Sequence, residues 1–145
     1  MLASAILIHA QNIAEQQSTK LDLEIYLAAP IEETQFIHAV GDSLQRQALN
    51  YSHISTITVR HSKLLHDWKI WNKCEWVNEQ WYEVSSQLEM KLVEDADVFL
   101  HSMPSSSWSR IVDRRRRTRQ LTVKWDKFIL DVVGDNYAKI KGENI

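Results

Sequence analysis

Guanidinium groups are the most concentrated chemistry in this sequence. Six of the eight arginines, Arg110, Arg114, Arg115, Arg116, Arg117 and Arg119, fall within ten residues. Asp113 is the only acid among them, so the window 110–120 carries roughly +5 on a chain whose formal net charge is -2. A cationic knot on an otherwise acidic chain points to a polyanionic partner. Arginine outnumbers lysine in it, and the planar guanidinium fork matches two phosphate oxygens at once. Lys124 and Lys127 extend the positive stretch. Trp108 and Trp125 flank it; both sit on apolar stripes and are expected in the core, with stacking against an unpaired base as the other use. The competing use of the arginines is internal. Glu75, Glu79, Glu83, Glu89, Glu94, Asp95 and Asp97 lie on one long helical run and are expected on a solvated face. Salt bridges from it to the arginines would contribute only ~0–1 kcal/mol each if exposed.

A second constellation runs from Arg60 to Trp68, where Arg60 precedes His66 by six positions and Asp67 and Trp68 follow. Histidine titrates near neutral pH and arginine stays charged, the combination that proton transfer beside a phosphate requires. The stretch resembles the active-site signature of HEPN ribonucleases. That resemblance implies an all-helical fold, dimers that pair two motifs across a cleft, and RNA cleavage without metal. His66 would then transfer the proton and Arg60 would clamp the phosphate. Arg46 and His53 repeat the same form, and ordinary surface residues are the competing reading.

Other chemistry is sparse. His61 and His66 are about 140° apart on a helix and do not converge on a metal as an i,i+4 pair would. Cys74 is the single cysteine, which excludes an internal disulfide framework and fits a reducing, cytoplasmic setting. Neither cofactor nor metal is expected. The apolar run at the start is far short of the ~20 residues that span a bilayer, and it reads as a core helix. No membrane partner is expected.

The elements that must hold these groups read mainly as helices. Ala3, Ile6, Leu7, Ala10, Ile13 and Ala14 recur at helical spacing, as do Phe36, Ile37, Val40, Leu44 and Ala48 over 31–49. Leu21, Leu23, Ile25 and Leu27 alternate with polar neighbours as a strand would, and 50–60 reads as a connector or short strand. A helix restarts near Ser62. The run from Glu75 to His101 places Val77, Trp81, Val84, Leu88, Leu92 and Phe99 on one stripe. Ser105, Ser106 and Ser107 supply an N-cap for a last long helix running on through Trp125 and Val132, with Gly134 as its stop.

These elements predict a mainly α fold: a single bundle of about five helices over 1–134, with room for one short β-hairpin from 21–27 and 53–59, then a loose tail over 135–145. In size, helicity and one-sided basic strip the chain is similar to the small helical subunits of CRISPR effector complexes. That likeness implies a non-catalytic subunit of a ribonucleoprotein-like assembly in antiviral defence. It would contact other subunits and a single-stranded or RNA–DNA backbone. The alternatives are the HEPN-type nuclease or an inactive relative, and an inhibitor or immunity factor that uses Trp71, Trp76 and Trp81 as anchors for a protein partner.

Overall fold

The computed structural model describes residues 2–30, 32–67, 73–101, 106–120 and 125–135. Helix α1 (Leu2–Gln17) leads into strand β1 (Leu21–Leu27), helix α2 (Thr34–Ala48) and strand β2 (Ile54–His61). Helices α3 (Lys63–His66), α4 (Glu75–Glu79) and α5 (Trp81–Asp95) follow, then strand β3 (Leu100–His101), helix α6 (Ser107–Thr118), strand β4 (Lys127–Phe128) and helix α7 (Ile129–Asp135). The fold is mainly helical, with seven helices among the described residues instead of the five expected. No described helix is long and apolar enough to cross a membrane.

The expected hairpin is a different object. β1 and β2 run parallel, paired from Asp22↔Thr56 to Leu27↔His61, and α2 lies between them in sequence. Parallel neighbours need a crossover of a dozen or more residues, which α2 supplies. A bundle of helices alone is therefore not the architecture: residues 21–61 form a β–α–β unit. Its side chains alternate by strand geometry. Leu23, Ile25, Leu27, Ile57 and Val59 pack with Leu7, Ile37, Val40 and Leu44 of α1 and α2 in one aliphatic core. On the other face Thr56 Oγ1 donates to Asp22 Oδ1 at 2.7 Å and Arg60 donates to Glu24. Phe36, expected inside, is half exposed, while Ile37, Val40 and Leu44 carry the buried stripe.

The second half is held differently. Gln80 interrupts the run from Glu75 with φ -102° and ψ 20°, yet the amide of Gln80 still donates to the Trp76 carbonyl and that of Val84 to Gln80. α4 and α5 are thus nearly one helix. At its end Met90, Val93 and Glu94 are buried, whereas Leu92, assigned to the apolar stripe from sequence, is exposed and Phe99 lies beyond the helix. Met90, Val93 and Phe99 form a second core with Val112, bordered by Tyr26 and Trp108.

Ser106 caps α6 as expected, its Oγ accepting from the Ser109 amide at 3.3 Å. α6 does not continue into the Trp125 region. It ends at Thr118, and Gln120 takes a positive φ of 55°, a left-handed turn that breaks helical hydrogen bonding. Two-residue strands β3 and β4 then pair in parallel, Leu100 with Lys127 and His101 with Phe128. Gly134 lies inside α7 instead of stopping it. There Val132 and Val133 pack on Ala5, so α1 is covered by α2 on one side and α7 on another. Of the expected tail, Asp135 belongs to α7 and the rest lies outside the described residues.

Candidate nucleic-acid interface

Four of the six clustered arginines are engaged by the chain itself. Arg116 is fully buried at 0% exposure. A helix ends with carbonyls that have no intrahelical donor, and burial makes each of them costly. Arg116 meets two of those in α5 and two just beyond it: Nη1 donates to the carbonyls of Val93 (3.2 Å), Glu94 (3.0 Å) and Ala96, and Nη2 to that of Asp97 (3.2 Å). Its Nε and Nη2 also hold Asp126 in a fork at 2.8 Å each. Asp126 accepts the Phe99 amide as well, at 3.0 Å. Only arginine carries five N–H groups in one plane, and this site uses them all. Arg116 is therefore corrected from a phosphate contact to the clasp that joins α5, α6 and the 125–128 segment. It lies on the side of Val112, one helical turn earlier, which is why a charged residue is carried inward.

Two more arginines meet the end of α5. Arg119 donates to Glu94 at 2.7 Å and Asp95 at 2.9 Å, and Arg115 stands 3.6 Å from Glu94. Glu94 is thereby corrected from a solvated face to a buried acceptor. Hydrogen bonds from Lys91 and then Arg119 hold the Asp95 carboxyl below the usual carboxylate range. Arg117 pairs with Asp113 one turn back, at 3.0 Å. Glu89, also placed on the solvated face from sequence, is half buried and accepts from the Tyr26 hydroxyl at 2.8 Å. Burial pushes the Glu89 carboxyl up, and burial with the Glu89 contact pushes the Tyr26 hydroxyl up.

Arg110 and Arg114 remain. Both are exposed and take part in no ion pair among the described residues. Arg114 borders an open depression with Arg115, Thr118, Arg119 and Glu94. Lys127 is exposed on β4, apart from α6 in sequence and element, and Lys124 lies outside the described residues. Trp108 is partly buried against the core of Met90, Val93, Phe99 and Val112, as its stripe implied. The Trp125 carbonyl accepts from His9 Nε2 at 2.7 Å, and burial lowers the His9 pKa.

The second constellation is dispersed among elements. Arg60 sits on β2 with its guanidinium given to Glu24, and His66 lies on the four-residue α3; its side chain and Trp68 are outside the described residues. The strands β1 and β2 depart from the all-helical fold which that resemblance implies. Arg46 donates to the Asp42 carbonyl at 3.3 Å, and His53 faces Gln11 at 2.7 Å. Asp126, the partner that decides the fate of Arg116, went unnoticed in the sequence. It stands between Trp125 and Lys127, off the stripe of Trp125, Phe128 and Val132, so no local pattern marks it as buried.

Comparison with protein-family models, curated proteins and solved structures returns no match to this chain.

Proposed function

We propose that this chain is a non-catalytic subunit of a larger assembly that lays the outward face of α6 along a nucleic-acid phosphate backbone, single-stranded or in an RNA–DNA duplex. The observation that carries this reading is the pair of unneutralised, exposed guanidiniums at Arg110 and Arg114, one turn apart, with Arg114 on the depression that Glu94, Arg115, Thr118 and Arg119 also line. Both project from a helix whose position is fixed by the buried clasp at Arg116, so binding demands little reordering of the backbone. The interface is smaller than six arginines would make it. Arg116 is withdrawn, and Arg117 and Arg119 are already engaged.

Arg110 and Arg114, with Arg115 exchanging its long 3.6 Å contact to Glu94 for a phosphate oxygen, reach about three phosphates, which on a single strand gives a slope of log K against log salt near -2. Titration of a fluorescent oligonucleotide at several salt concentrations measures it. Arg110→Ala with Arg114→Ala is expected to bring the slope to about -0.7 and to weaken binding equally across sequences. Wild-type protein that shows no salt-sensitive binding to RNA or DNA would overturn the reading. Catalysis is not part of it, since Arg60 is given to Glu24 and lies on a strand.

A further inference from the structure

Among the charges that take part in no ion pair within the described residues, two groups of opposite sign stand beside exposed apolar side chains. The first runs through α4 and the start of α5. Trp76 is 64% exposed and Tyr82 88% exposed, although large aromatics ordinarily seek cover. On a helix of 3.6 residues per turn these two stand about 120° apart, and Glu75, Glu79 and Glu83 fall in the arc between them. All three acids are exposed and take part in no ion pair among the described residues. No lysine or arginine occurs from 75 to 90. The second surface is α6, where Ile111 is 44% exposed with Arg114 and Arg115 about 60° and 40° to its sides and Arg110 next to it.

Exposed aromatic side chains are the usual anchors of a protein–protein contact; here Trp76 and Tyr82 flank a strip of carboxylates, while on α6 one exposed isoleucine stands among guanidiniums. Trp76 and Tyr82 also offer ring faces to guanidinium groups. The charges on one surface are anionic and those on the other cationic, so each suits the other and neither suits itself. We infer that the acidic aromatic face of one copy docks on α6 of a second copy. Such a head-to-tail contact uses different patches on the two molecules and leaves one of each unfilled, so it can propagate or close into a ring. The helices involved are short, which places the contact in the weak, transient class below about 1,200 Å². The inference does not rest on phosphate binding, although the two uses of α6 exclude one another.

Sedimentation velocity on nucleic-acid-free protein over a wide concentration range tests it. Association is expected at low salt and is expected to weaken markedly toward about 0.5 M, where charges are screened within a few ångströms. Glu79→Arg with Glu83→Arg, and separately Arg110→Glu with Arg114→Glu, should each abolish it. Mixing these two variants should restore a complex, because each retains the surface the other has lost. Trp76→Ser with Tyr82→Ser should also weaken association while the circular-dichroism spectrum is unchanged. A protein that stays monomeric at every concentration, or a mixture that fails to associate, would overturn the inference. So would a monomer whose Trp76 indole resonance shifts with an arginine-rich peptide, which assigns the face to a different cationic protein.

Discussion

Residues 2–61 bury Ala3, Leu7, Leu27, Ile37, Val40 and Leu44 in one aliphatic core, whereas the junction of α5, α6 and β4 closes on a fully buried arginine and its aspartate. In the first half binding is spread over many methyl groups, none of which is decisive. In the second it is concentrated, because several backbone carbonyls and one carboxylate depend on a single side chain. Dispersed apolar packing degrades gradually when trimmed. A charge network does not, since deleting one member strands the others in a dry interior.

The sharpest way to test that contrast is Arg116→Ala, expected to cost about 3–5 kcal/mol and to melt α5 and α6 ahead of the β–α–β unit. Urea denaturation followed by hydrogen exchange would resolve the two halves. Arg116→Met with Asp126→Leu should recover much of that loss, because nothing charged is left unpaired. A single Lys at 116 should not, for it lacks the fork.

Leu44→Ala in the first core is expected to cost about 2–5 kcal/mol, and to do so without singling out α5 or α6. A pH series probes the seam between the halves, where His9 of α1 donates to the Trp125 carbonyl. Burial lowers the folded-state pKa of His9, so the unfolded chain binds the proton more readily. Stability from this group is complete above about pH 6.5 and is lost as pH falls toward the folded value, at no more than about 1.4 kcal/mol per unit. His9→Gln should flatten that acid limb of the melting-temperature profile. The smallest effect is a gain. A Cβ at Gly41 would meet only Val59 Cγ1, at 4.0 Å, so Gly41→Ala is expected to stabilise α2 by about 0.5–1 kcal/mol in chemical denaturation.

Much of the first half was legible because its signals are local. The alternation at Leu21, Leu23, Ile25 and Leu27 marks β1, and the spacing of Ile37, Val40 and Leu44 marks α2. What alternation cannot carry is direction, which is why 21–27 and 53–59 read as a hairpin and not as a parallel pair. The second half was less legible because its determinants are distant in sequence. The arginines stand out by composition, but composition does not distinguish Arg114, which faces solvent, from Arg116, which is buried. Helical phase does: Val112 and Arg116 share a side, and an inward arginine demands an acid elsewhere, here Asp126. The break after Thr118 was unmarked by glycine or proline, since Gln120 takes the left-handed turn itself.

The two-sided packing of α1 orders events during synthesis. Its flank toward α2 gains cover as soon as residues 34–48 leave the ribosome, but the cluster around Ala5 is complete only when Val132 and Val133 follow. A nascent β–α–β unit therefore waits with a bare strip on its first helix, and a chaperone or a premature partner has that whole interval in which to find it.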